Sequence, residues 1–275
     1  WNLSRRRRRR DRISTRYHET DHPAILGVLA IMKNESMNID EWVSHYLQVG
    51  AQKIYLIDNG STDDTVRKAK LWVEKGVVEL VEWPRQHAQK EHYWAAIKTF
   101  KIRETCRWLL IADLDEFWFC PDGTSIPDKL NIFQNIDVIY ANWRMFGSSG
   151  LVKHPQSIRT AFVACDPKLY NHAETKFIVR TSAIKTLKNV QLHKVDGANS
   201  RNTVSDNENF NLFHYRIQSL EYFEKVKMTR GDALSVTPDV ARDMKYFNDC
   251  NAPCTEINRT LADLVQSGRL GTGGV

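Results

Sequence analysis

The first half of the chain alternates between two hydrophobic periods. AILGVLAIM (24–32) is apolar nearly throughout and reads as a buried strand. In NIDEWVSHYLQVG (38–50), Ile39, Trp42, Val43, Tyr46 and Leu47 recur at helical spacing and Gly50 supplies a stop. KIYLIDN (53–59) is a second strand. STDDTVRKAKLWVEKG (61–76) follows as a helix with Ser/Thr caps, acids in its first turn and Gly76 at its end. VVELVEW (77–83) is a third strand. A helix around 88–106 then places Tyr93, Ala96, Ile97 and Phe100 on one face. RWLLIADLDEFWF (107–119) closes the series: a strand-like apolar run, then three acids (Asp113, Asp115, Glu116), then aromatic bulk again.

Strand–helix repetition of this kind predicts an α/β fold with a mixed, mostly parallel central sheet flanked by helices. Ligands of such sheets sit beyond the carboxyl ends of the strands, where Asp58 and Asp113 both fall. The second half is less regular. Segments 137–147, 175–180 and 210–217 read as further strands of mixed direction, and 219–231 as a helix between a Ser219 cap and a Gly231 stop. Residues 233–275 show little pattern and are expected to form a C-terminal extension, partly loose around the terminal GTGGV.

Composition narrows this picture. A chain of 275 residues, 42% hydrophobic, can bury one sizeable core. The net charge of +6 suggests nucleic acid until it is located: residues 1–23 hold eight arginines against three acids, so +5 of it lies there. That stretch reads as a disordered basic arm, and the near-neutral remainder gives no reason to expect a nucleic-acid groove. No run reaches the ~18 apolar residues of a membrane span, so a membrane anchor is expected only outside this segment, leaving a Golgi lumen and the cytoplasm both open. Five scattered cysteines form no zinc pattern, and Cys250 and Cys254 could be bridged or reduced.

The acids carry the chemistry. Carboxylates set between apolar segments repel one another and resist burial unless a cation compensates them. Asp113 and Asp115, one residue apart at a strand end, could share a hard divalent ion, Mn²⁺ or Mg²⁺, completed by phosphate oxygens. In LIDNGSTDDT (56–65), Asp58 is placed to accept a hydrogen bond from a base N–H, with Asn59, Gly60 and Ser61 forming the turn. In AIMKNES (30–36), Lys33, Asn34 and Glu35 end the first strand beside the same edge.

Together, in this order, these three motifs resemble the nucleotide-binding half of family 2-like glycosyltransferases of the GT-A fold. NWRMFGSSG (142–150), TKFIVR (175–180), LHKVDG (192–197) and FHYRIQSLEYFEKVKMTRG (213–231) look like the successive blocks of family 92 and its near relatives, so the likeness spans a domain of residues 24–232. The resemblance implies a nucleotide-sugar donor, most often UDP-linked, a Mn²⁺-type metal, and inverting transfer to a hydroxyl of a glycan or glycoconjugate. Carried across, Asp58 would hold the base, Asp113 would lie near ribose and metal, and Asp115 would ligate the metal. His214 would be a further ligand, with His193 as its competitor. Lys33 and Glu35 would border the donor, and Lys225 and Arg230 would face the diphosphate. Asp196 is the first choice for general base and Glu174 the second, while Trp143 offers a face for sugar stacking. Gln218-Ser219 departs from the Lys-Ser usual in related chains, so any phosphate contact assumed for that lysine is not carried across. Two rivals share parts of this pattern. A nucleotidyltransferase making NDP-sugars would show a glycine-rich loop where MKNES stands. A non-catalytic carbohydrate-binding relative would have lost Asp113 or Asp115.

Overall fold

The computed structural model describes residues 22–85, 88–170, 175–230 and 242–271. Most of the basic arm and the last four residues therefore lie outside the described residues. So does Glu174, together with the side chain of Arg230.

The alternation expected of the first half is what the chain builds: β1 (Ala24–Met32), α1 (Ile39–Gln48), β2 (Lys53–Asp58), α2 (Thr65–Glu74), β3 (Val78–Glu82), α3 (Gln89–Thr99), α4 (Ile102–Thr105) and β4 (Cys106–Ile111). The helix expected across 88–106 is broken at Lys101, whose φ of +51° is left-handed and turns the chain before α4. β3, β2, β1 and β4 lie side by side and all parallel. Buried on both faces, β1 and β4 read as continuous apolar runs rather than alternating ones.

Mixed directions enter beyond β4. The chain continues through β5 (Glu116–Phe119), α5 (Ile126–Leu130), β6 (Val138–Phe146), α6 (Ile158–Ala161), β7 (Ala164–Leu169), β8 (Thr175–Arg180), β9 (Thr203–Ser205) and β10 (Asn211–His214). β8 runs antiparallel between β4 and β6, and β10 pairs antiparallel with β5 and parallel with β6. The strand expected over 210–217 is thus shorter, ending at His214. The helix expected over 219–231 is one rod of three pieces: α7 (Leu220–Tyr222), a π turn over Phe223–Lys227, and α8 (Met228–Arg230). Ser219 caps it by accepting from the Tyr222 N–H at 3.2 Å.

The last segment holds more structure than its pattern suggested. α9 (Met244–Asn251), β11 (Glu256–Ile257) and α10 (Thr260–Gln266) are each too short to display a period. β11 nevertheless pairs with β7, and Leu261, Leu264 and Leu270 are buried in the main core. Asn251 accepts from the Ser148 N–H at 2.8 Å, tying α9 to the loop after β6. A side chain at Gly147 would meet that Asn251 oxygen at 2.6 Å, so the close approach requires glycine. Cys250 and Cys254 are both free thiols. Among the described residues, no helix is long and apolar enough to cross a membrane.

Candidate active site

β1, β2 and β4 are in register so that Met32 pairs with Asp58, and Leu29 with Ile111. Their carboxyl ends form one edge, carrying the MKNES loop, the Asp58 turn and the Asp113–Glu116 loop. β8 enters the same edge from its amino end, with Lys176 opposite Ala141 of β6 and beside the end of β4.

Asp58 is buried, and its carboxylate is held locally. It accepts from the Gly60 N–H at 3.0 Å and the Ser61 N–H at 3.1 Å, a tight turn completed by the positive φ of Gly60. Asn59 donates to the Trp83 and Arg85 carbonyls, fixing the neighbouring strand. Glu35 is buried as well. It accepts from Asn38 Nδ2 at 2.8 Å and from the Tyr222 hydroxyl at 2.9 Å, while its own N–H donates to Thr65 Oγ1. This glutamate therefore joins the end of β1 to the start of α2 and to α7. Lys33 is half-buried just past β1.

The acidic loop is pinned from α1: Trp42 Nε1 donates to the Asp113 carbonyl and the Tyr46 hydroxyl to that of Glu116. Its carboxylates are compensated by lysines from far along the chain. Lys176 Nζ lies 3.0 Å from Asp113 and 3.7 Å from Glu116. Glu116 Oε2 also accepts from the Asp113 N–H at 2.9 Å. Burial pushes the Glu116 carboxyl well above its ordinary range, more than the nearby lysine pulls it down. Burial acts on Asp113 in the same sense, but there the Lys176 charge and hydrogen bond prevail and the carboxyl titrates below its usual value. Lys176 is itself held protonated, because its two carboxylates outweigh the burial that would discharge it.

Asp115 is buried between Lys227 Nζ at 2.5 Å and His214 Nε2 at 3.5 Å. Burial lowers His214 to about 4, so near neutrality it offers a nitrogen lone pair rather than a charge. Its Nδ1 is buried with no hydrogen-bond partner. His193 stands nearer Asp113, its Nδ1 engaged by the Thr175 carbonyl at 2.9 Å. Trp143 lies between the two histidines, with ring centroids 5.4 Å from His193 and 4.5 Å from His214, and the Arg216 guanidinium 5.5 Å from its own ring. Buried in this way, it serves as a wall of the site and presents little ring surface for stacking a sugar.

Two other sequence candidates are each paired with a charged neighbour of their own. Lys225 is exposed and paired with Glu221 at 2.8 Å. One residue separates it from Lys227, which puts the two on opposite sides of the rod, so one faces solvent while the other faces Asp115. Asp196 is half-exposed in a turn, paired with Lys194 at 2.8 Å. Sequence reasoning did not single out Lys176, Lys227 or Glu116 as partners. The first left a signal: a lysine inside a strand buried at every position requires a carboxylate.

The donor set suits a divalent ion only in part. A carboxylate oxygen and a neutral imidazole nitrogen 3.5 Å apart are spaced to share one ion, and their mixed chemistry favours Mn²⁺ over Mg²⁺. Among the described residues, however, no group of three His, Cys, Asp or Glu side chains surrounds such a position. Remaining ligands would have to come from a diphosphate and water.

Similarity to known proteins identifies the family. The pattern of glycosyltransferase family 92 matches residues 29–253. A family 92 protein of Ricinus communis is 27% identical over 213 residues, 74% of this chain and 38% of that protein. One of Oryza sativa subsp. japonica is 26% identical over 204 residues, 72% and 34%. The chain thus spans little more than a third of the length of these relatives. Among solved structures, S. aureus TarS 1–349 in complex with UDP-GlcNAc matches with a TM-score of 0.48 at 13% identity, covering 89% of this chain and 71% of that one. Glucosyl-3-phosphoglycerate synthase from Mycobacterium tuberculosis, in complex with Mn²⁺ and UDP-glucose, matches with a TM-score of 0.43 at 14% identity, covering 73% and 74%. With the family pattern running through the strand-end acids, the lysine strand and the capped helix alike, this chain belongs to glycosyltransferase family 92.

Proposed function

We propose that this chain transfers a sugar from a UDP-linked nucleotide-sugar donor to a hydroxyl of a glycan acceptor, with inversion and with a divalent cation. The observation that carries this reading is the Asp115–His214 pair, a buried carboxylate facing a neutral imidazole at 3.5 Å on the edge where Asp58 also ends. Asp115 and His214 would hold the cation, and when bound it would stabilise negative charge developing on the departing diphosphate. Asp58 would accept from the base N–H with the lone pairs its turn leaves open, and Asp113 would border the ribose. Lys176 fixes the position of Asp113, and Lys227 places a positive charge within reach of the diphosphate. Inversion requires one base for the acceptor proton. Asp196 and Glu174 are the candidates, and Asp196 would first have to give up Lys194.

The test is a thermal-shift panel of nucleotide sugars with and without Mn²⁺, followed by donor turnover in Asp115→Ala. A shift specific to one UDP-sugar and dependent on Mn²⁺ is expected, together with a loss of about 10³-fold in turnover, the scale for removing one strong electrostatic contribution. Unchanged turnover in that variant would exclude the site.

A further inference from the structure

The cationic side of this pocket is already filled by the protein. Asp115 holds Lys227 on its Oδ2, one carboxylate against one ammonium group, while Asp113 and Glu116 share Lys176. Lys227 is 2% exposed and touches the same carboxylate that a metal would need. It belongs to the π turn Phe223–Lys227, an irregularity that costs helix geometry and concentrates at functional sites. The base of that turn is anchored, since the Tyr222 hydroxyl donates to Glu35 beside β1.

This balance has a consequence for binding order. A divalent ion entering between Asp115 Oδ1 and His214 Nε2 meets a carboxylate whose Oδ2 already holds the Lys227 ammonium, so attraction is weakened and the two cations repel each other. A nucleotide diphosphate changes the sum, because its oxygens add negative charge that can hold the ion and the lysine together. We propose that Lys227 is a resident counter-cation that makes binding of the divalent ion conditional on the diphosphate. Lys227 is thereby a positioning residue of the donor site, acting through Asp115. The inference rests on the proposed donor site, and linkage requires it to be reciprocal: the ion tightens UDP by the factor by which UDP tightens the ion.

The experiment measures free Mn²⁺ by electron paramagnetic resonance in titrations of the protein with and without UDP, corrected for the Mn²⁺ that UDP holds in protein-free samples. UDP is expected to tighten Mn²⁺ binding to the unmodified chain by about 10-fold or more, while Lys227→Met tightens binding without UDP by about 10-fold and reduces the UDP effect to under about 3-fold. Equal Mn²⁺ affinity with and without UDP overturns the inference and needs no variant to fold. So does a Lys227→Met protein that folds and keeps the full UDP effect. Failure of UDP to bind at all, with or without Mn²⁺, removes the donor site itself and this inference with it, so the two failures are distinguishable.

Discussion

Asp58 and Asp115 are both buried acids at the same sheet edge, and they are stabilised in opposite ways. Asp58 is satisfied by N–H groups two and three residues ahead of it. Asp115 is satisfied by a lysine 112 residues away, and its neighbour Asp113 by one 63 residues away. The first arrangement is a local turn, complete once the strand and glycine are in place. The second exists only when β4, β8, β10 and the helix of Lys227 have all assembled. A local dipole cage tolerates loss of the acid, because the freed N–H groups can turn to water. A buried ion pair does not tolerate loss of one partner, because the remaining charge is left without compensation.

The largest expected effect follows from that contrast. Lys176→Met should destabilise the fold by about 3–5 kcal/mol, the scale for breaking a buried pair. Urea denaturation at pH 7 measures it. Adding Asp113→Asn and Glu116→Gln to the same chain should recover much of the loss, since no unpaired carboxylate then remains. A single variant as stable as the parent would show that Lys176 compensates nothing.

The same contrast explains what could be read from the sequence. β1 and β2 were legible almost to the residue, because each is a continuous apolar run bounded by polar turns. The turn at Asp58 was legible because its partners are adjacent. Asp113, Asp115 and His214 were legible as candidates but their company was not, since nothing local to DLDEF names Lys176 or Lys227. The choice of Lys225 over Lys227 shows the limit. Both lie in one short stretch, and only the rotation of the helix, altered by a π turn, decides which reaches the acids. α9 and α10 escaped notice for a simpler reason: helices of eight and seven residues barely complete two turns.

Protonation gives a second, intermediate test of the long-range side. His214 is held at about 4 by burial, against an ordinary value of 6.5, so the unfolded chain binds a proton more readily than the fold does. The sign follows: its contribution is fully present above pH 6.5 and is lost as pH falls from there towards 4. His45, also buried and lowered well below its ordinary value, acts in the same direction. Glu116 opposes them, because a carboxyl raised by burial favours the fold at acid pH. His214→Asn should flatten the decline between pH 6.5 and 4 by up to about 3 kcal/mol, a figure set by the depressed value. Chemical denaturation at a series of pH values reads it, and an unchanged slope would mean that His214 titrates freely in the fold.

The smallest expected effect on stability belongs to Asp58, and it sharpens the comparison most. Asp58→Ala removes the acceptor for the Gly60 and Ser61 N–H groups, both in a half-exposed turn that water can enter. The cost should be about 1 kcal/mol, the net value of ordinary hydrogen bonds exchanged for solvent. If the carboxylate also receives the base, UDP affinity should fall by about 10-fold or more in a protein that is otherwise nearly as stable as its parent, the scale of a hydrogen bond to a charged group. Isothermal titration with UDP, beside urea denaturation, separates the two quantities. A large stability loss with unchanged UDP affinity would reverse the assignment, making Asp58 a structural acid and moving base recognition elsewhere on the edge. A small loss with a large drop in affinity would mean that one end of the donor site is built from a turn the chain hardly needs for folding, while the other end is built into its core.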